Sequence, residues 1–162
     1  MSNFQLDQFF RQYGHLVYRR ALYLLGRPED AEEATQEVFI RALKNANEFE
    51  ERSGVYTWLN RITTNYCLNW LRDKSRRKQL FDRQMQSSRP AFAGEPSPEG
   101  MLTMRKLLAL ADPSWTQAAI YVFVDGMSHK EAAQILGVSR RTVGNLLDRF
   151  QKWAIDYLDG TG

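Results

Sequence analysis

The stretch from Ser128 to Phe150, SHKEAAQILGVSRRTVGNLLDRF, leaves little freedom in what it can fold into. Ser128 suits a helix N-cap, and Glu131 three residues later completes a capping box. Ala132, Ala133, Ile135 and Leu136 give that helix an apolar side. Gly137 ends it where a tight turn needs positive φ. Ser139 then caps a second helix, on which Val143, Leu146 and Leu147 fall at the spacing of one buried face. Small Ala133 allows two helices to cross closely, and Val138 is expected to plug the turn between them. The pattern reads as a helix-turn-helix, which lays its second helix in a DNA major groove. An ordinary helical hairpin is the plainer alternative.

The other segments also carry helical rather than alternating periodicity, so the predicted class is all-α. A first helix is expected over about Leu6–Leu25, with Phe9, Phe10, Tyr13, Leu16, Val17 and Leu24 among its apolar positions. Gly26 and Pro28 punctuate it, and Pro28 suits the opening turn of a second helix that continues to about Asn45. Residues 47–54 read as a loop, and a third helix runs over about Tyr56–Arg77. From Gln84 to Gly100, QMQSSRPAFAGEPSPEG holds three of the five prolines and few large apolar residues, the composition of a flexible linker. Helices resume near Pro98–Leu110 and Ser114–Val124, ahead of the helix-turn-helix. The expected architecture is two small helical domains, 1–80 and 101–162, joined by a linker over 81–100.

A net charge of +3 does not by itself announce a nucleic-acid binder, but its distribution is uneven. Glu29, Asp30, Glu32, Glu33 and Glu37 crowd one stretch; Arg72, Lys74, Arg76, Arg77 and Lys78 crowd another. Such asymmetry suggests different partners for two surfaces. Cys67 is the only cysteine, which excludes an intramolecular disulfide and a cysteine metal cluster. No apolar run approaches a membrane span, and MSNFQLDQFF lacks the pattern of a secretion signal, so a cytoplasmic protein without membrane insertion is expected. His15 and His129, the only histidines, have no neighbouring nucleophile or ligand cluster, and there is no Gly-rich phosphate loop. Neither an enzyme nor a cofactor is expected.

On the second helix, Asp30, Glu33, Glu37, Arg41 and Lys44 form one stripe, with Ala31, Thr35, Val38, Ala42 and Ala46 opposite. The stripe complements the helix dipole, and it equally suits docking of a basic or helical partner. On the third helix, Leu59, Ile62, Tyr66 and Trp70 read as core, while Arg61, Asn65, Asn69, Arg72 and Arg76 share a polar sector. Asparagine and arginine suit base edges and phosphates. Phe49, Tyr56 and Trp58 nearby can stack on an unpaired base, although Tyr56 and Trp58 also fit a core.

The segment DAEEATQEVFIRALKNANEFEERSGVYTWLNRITTNYCLNWLRDKSRRK resembles the second conserved region of bacterial sigma factors, above all the extracytoplasmic-function group. DGMSHKEAAQILGVSRRTVGNLLDRF resembles their fourth region. The resemblance rests on Asp30, Gln36, Glu37 and Phe39, then Thr57-Trp58-Leu59, Arg61-Ile62 and Asn65. It implies a transcription initiation factor whose partners are core RNA polymerase, through the beta-prime clamp helices and the beta subunit, and promoter DNA in duplex and single-stranded form. An anti-sigma factor is a further partner the family suggests. It places Asp30, Glu33, Gln36, Glu37 and Arg41 on the polymerase-facing surface. It assigns −10 recognition and melting to Asn45, Phe49, Trp58, Asn60, Arg61, Asn65, Asn69, Arg72 and Arg76. The helix-turn-helix would read the −35 element.

Two departures qualify this. Family members commonly carry a basic-Ser-Arg type triplet after the recognition-helix valine; here Val143 is followed by Gly144-Asn145-Leu146. The reading of −35 DNA is therefore expected to fall to Ser139, Arg140, Arg141 and Thr142, with Asn145 and Arg149. The N-terminus also corresponds to the second helix of the family's usual first domain. Two rival readings stand beside this one: a conventional helix-turn-helix regulator, and a degenerate sigma-like protein that sequesters polymerase or an anti-sigma factor.

Overall fold

The computed structural model describes residues 3–46, 54–79 and 97–160, with side chains 3–5 and 75–79 outside the description. Among the described residues there are seven α-helices and no strand. They are α1 (Asn3–Leu25), α2 (Pro28–Lys44), α3 (Gly54–Gln79), α4 (Pro98–Leu110), α5 (Pro113–Ala119), α6 (His129–Leu136) and α7 (Arg140–Gly160). The chain divides into two compact units, Met1–Trp70 and Leu71–Gly162, and the division falls within α3. The loop expected over 47–54 lies outside the described residues except for Gly54, which opens α3. Most of the expected linker does so too, and its last residues form the N-cap and first turn of α4.

In the first unit, Gly26 takes φ 84 and its N–H bonds the Leu22 carbonyl at 2.8 Å, closing α1. Pro28 starts α2 at a position where its missing N–H costs nothing. Glu29 and Asp30 lie in the first turn of α2 and Arg41 and Lys44 in its last, matching the helix dipole at both ends. The buried side of α2 is mostly small: Ala31, Ala34, Thr35 and Ala42 beside Val38 and Phe39. Small side chains there let α1 approach closely. Thr35 is tolerated because its hydroxyl donates to the Ala31 carbonyl at 2.7 Å. The core joins α1, α2 and α3 through Val17, Val38, Phe39, Ala42 and Leu59. Phe9, Tyr13, Val55, Trp58, Ile62 and Tyr66 pack around it. Arg20 ties α1 to α3, donating through Nη2 to Thr64 Oγ1 at 3.2 Å.

In the second unit, the Asp112 carboxylate caps α5, accepting from the Ser114 N–H at 2.9 Å and the Ser114 hydroxyl at 2.6 Å. That hydroxyl is the main reason the Asp112 pKa lies below its usual value. The expected helix over Ser114–Val124 changes pitch partway: Ile120–Val124 is a π turn, with the Asp125 N–H reaching the Ile120 carbonyl at 3.0 Å. The widened turn buries Ile120 and Tyr121 and leaves Phe123 exposed. Tyr121 joins Ala118, Ala119, Ala132, Ala133, Val143 and Leu147 in the core beneath the helix-turn-helix.

Candidate functional site

The helix-turn-helix is built by local bonds. The Ser128 hydroxyl accepts from the Glu131 N–H at 3.1 Å, while the Ser128 N–H donates to Glu131 Oε1 at 3.3 Å. Gly137 takes φ 70 and ψ 32, and the Val138 N–H returns to the Ala133 carbonyl at 3.1 Å. Val138 does not plug the turn. It is 38% exposed, because the left-handed step at Gly137 turns it outward, and Ala132, Ala133 and Val143 fill the crossing instead. Ser139 caps α7, accepting from the Thr142 N–H at 3.1 Å, and its hydroxyl also pairs with Thr142 Oγ1 at 2.9 Å. These two hydroxyls are occupied in holding the start of the helix.

Along α7, Val143 and Leu147 are buried and Leu146 half-buried, so the opposite face is free. It carries Arg141, Asn145 and Arg149, all exposed, together with exposed Asp148 and Lys152, while Arg140, one turn before Val143, is exposed at the first position of the helix instead. Their helical spacing in the sequence already marks Asp148 and Lys152 as members of this face. Arg141, Asn145 and Asp148 follow one another at intervals of one turn. The result is a donor-rich strip with one carboxylate, on a helix held by its other side.

In the first unit, Glu33 and Gln36 are exposed and Asp30 and Glu37 half-buried on α2. Arg41 is also exposed but is not a loose cation. Its Nε lies 3.3 Å from Glu37 Oε1, and its guanidinium sits 4.8 Å from the centroid of the Tyr66 ring. Tyr66 therefore braces the stripe from α3 through a cation–π contact. Burial, reinforced by Glu33 and Glu37 and opposed by Arg41, raises the Tyr66 pKa above its ordinary value. The sequence puts Tyr66 on the core face of α3, and nothing local signals its contact with α2. Exposed Ile40 and Leu43 add apolar surface beside the charges.

On α3, Arg61 and Asn69 are exposed, and Asn65 and Arg72 are half-buried along the same sector. Asn60 does not share it. About 140° around the helix from Asn65, it lines a depression between α1 and α3 with Tyr13, Leu16, Val17, Tyr56, Leu59 and Thr63. Trp58 is half-buried against the core, whereas Tyr56 is 53% exposed. Asn45 is the exposed C-cap of α2, with its N–H on the Arg41 carbonyl at 3.0 Å. Phe49 and the Arg76 side chain lie outside the described residues. Among the described residues, no group of three or more His, Cys, Asp or Glu side chains is placed to hold a metal ion. None of the described helices is long and apolar enough to cross a membrane.

A family model for sigma-70 region 2 matches residues 9–77, and one for a homeodomain-like domain matches residues 107–154. The extracytoplasmic-function RNA polymerase sigma factor SigE of Mycolicibacterium smegmatis is 31% identical over 160 residues. That match covers 94% of this chain and 61% of SigE, so the chain spans about three fifths of that relative's length. SigM of Mycobacterium tuberculosis, of the same group, is 28% identical over 142 residues, covering 88% of this chain and 71% of SigM. Two solved structures share the fold. The sigma factor RpoE, solved with the anti-sigma factor NepR from Bartonella quintana, gives a TM-score of 0.55 at 22% identity, over 95% of this chain and 96% of that one. CnrH, solved with the cytosolic domain of CnrY, gives 0.57 at 18% identity, over 99% and 92%.

Proposed function

We propose that the chain is a member of the extracytoplasmic-function group of RNA polymerase sigma factors and works as one. It binds core RNA polymerase, directs it to promoters with distinct −10 and −35 elements, and helps melt the DNA. The carrying observation is one chain that presents an acidic, braced helix face, a polar asparagine–arginine sector and a separate helix-turn-helix. A conventional helix-turn-helix regulator has no use for the first two.

In this reading residues 1–80 dock on polymerase and handle the −10 element, residues 81–100 link, and residues 101–162 read the −35 element. The stripe of Asp30, Glu33, Gln36, Glu37 and Arg41 meets the beta-prime clamp helices. Opposite charge speeds and orients the encounter, and exposed Ile40 and Leu43 supply apolar area beside it. The beta subunit is the second polymerase contact. Arg61, Asn65, Asn69 and Arg72, with Asn45, Phe49, Trp58, Asn60 and Arg76, take up the −10 strand. Extruding a base costs a few kcal/mol, and stacking returns about 1–3 kcal/mol per base. Polymerase binding therefore need not supply the whole cost of opening. Arg140, Arg141, Asn145 and Arg149 read duplex DNA from α7, with Ser139 and Thr142 at its start. An anti-sigma protein is a further partner in this reading, since RpoE was solved with one. The chain acts in the cytoplasm and leaves the chemistry of RNA synthesis to polymerase.

The docking assignment is tested by changing Asp30, Glu33 and Glu37 together to lysine and measuring binding to purified core polymerase. Binding is expected to vanish. Lysines near the start of α2 oppose its dipole by about 0.3–1 kcal/mol each, so circular dichroism of the variant must show retained helicity. Unchanged binding in a folded variant contradicts the assignment.

A further inference from the structure

Arg41 stands one turn after Glu37 in the acidic stripe of α2, and it is held on two sides. Its Nε donates to Glu37 Oε1 at 3.3 Å. Its Cζ lies over the Tyr66 ring of α3, 4.8 Å from the centroid. The remaining donors of the guanidinium are on Nη1 and Nη2, and neither makes a hydrogen bond among the described residues. The side chain still keeps 47% of its surface exposed. Ordering a long side chain opposes binding; here Tyr66 and Glu37 have set the arginine before any partner arrives.

We propose that Arg41 is a preformed fork that takes a side-chain carboxylate of core RNA polymerase, and that Tyr66 is the residue that positions it. The two open Nη groups match the paired oxygens of a carboxylate, an arrangement a lysine cannot offer. A phosphate of the promoter strand carries similar oxygens. Glu33 and Glu37 crowd the same spot, however, close enough for both to act on the Tyr66 hydroxyl. They repel a polyanionic strand more than a protein surface that brings its own cations. Basic groups of the polymerase then meet the acidic residues, one carboxylate meets Arg41, and the alternation of sign fixes the register of docking. The inference rests on α2 being the polymerase-docking face, and it adds to that face a contact of opposite sign held in place from α3.

The test measures the affinity of the full chain for purified core polymerase, with the helicity of every variant checked by circular dichroism. Arg41→Lys keeps the charge and loses the fork. It is expected to weaken binding roughly tenfold, and Arg41→Gln at least as much. Tyr66→Leu is expected to cost about two- to fivefold, the worth of an exposed cation–π contact, and Tyr66→Phe, which keeps the ring, to restore binding. In an Arg41→Gln background Tyr66→Leu should add nothing, because Tyr66 acts through Arg41. Additive losses assign Tyr66 to packing alone and overturn its role. Arg41→Lys that binds as tightly as wild type overturns the fork. Arg41→Gln that joins polymerase normally but fails on promoter DNA puts a phosphate on the fork, and also overturns the proposal. If Asp30, Glu33 and Glu37 changed together to lysine leave binding unchanged, the docking reading itself fails. If that change abolishes binding while the Arg41 variants bind normally, only the fork fails.

Discussion

Replacing Gly144 with alanine should make the second unit more stable. Gly144 is the fifth residue of a 21-residue helix, clear of the frayed ends. Alanine is favoured over glycine in a helix interior by about 0.8–1 kcal/mol, partly because the unfolded chain loses freedom. The structure adds no correction: the new Cβ finds nothing within 4 Å, so it neither clashes nor gains packing. The expected gain is therefore about 0.5–1 kcal/mol. A domain of this size shifts its melting temperature by about 4–8 °C per kcal/mol, which gives roughly 2–8 °C. Thermal unfolding of the full chain by circular dichroism measures the shift, and slower amide exchange along α7 assigns it to this unit. An unchanged or lower melting temperature would refute the reasoning. It would mean that the helix needs glycine there for a reason within the chain.

Ser128→Ala removes the hydroxyl that caps the Glu131 N–H, leaving only the backbone half of the capping box, and should cost about 0.5–2 kcal/mol in urea unfolding; no loss would mean that the hydroxyl cap does not hold α6. Asn65→Ala should weaken binding to a pre-melted promoter by about 1–3 kcal/mol, the cost of a buried partner left unpaired, while −35 duplex binding stays unchanged. Equal losses on both templates would remove Asn65 from base capture. Arg140→Ala should cost roughly 1–3 kcal/mol on the −35 duplex if the side chain reads a base, and unchanged affinity would take it out of the interface. Burial pushes the Cys67 thiol up to about 12, so below that pH it stays neutral and poorly nucleophilic in the native chain. At pH 8 a thiol reagent should label the urea-unfolded chain quickly and the folded chain hardly at all; equal rates would contradict the burial.

What the sequence shows well is what local chemistry decides. Ser128, Glu131 and Gly137 interact within a few residues of one another, so the capping box and the left-handed turn are legible by eye. Pro28 and Pro98 mark the starts of α2 and α4 in the same way. Relations between helices are less legible. The brace from Tyr66 to Arg41 joins residues 25 positions apart, and only the packing of α2 on α3 creates it. Val138 looks like a plug from composition, yet the backbone step at Gly137 determines its direction. The π turn at Ile120–Val124 inserts a register change that no residue in IYVFV announces; it goes with the burial of Tyr121. Asn60 is different. Helical spacing alone separates it from Asn65, but the resemblance had grouped the two, and the structure sets Asn60 toward α1.

Promoter-directed initiation is the most direct test of the proposed function. Purified core RNA polymerase with and without this chain, incubated on fragmented genomic DNA from the source organism, followed by mapping of RNA 5′ ends, measures it. Discrete starts that require the chain and share two spaced upstream elements are the predicted result. Polymerase that binds the chain yet initiates nowhere new would contradict the account and indicate a protein that sequesters polymerase.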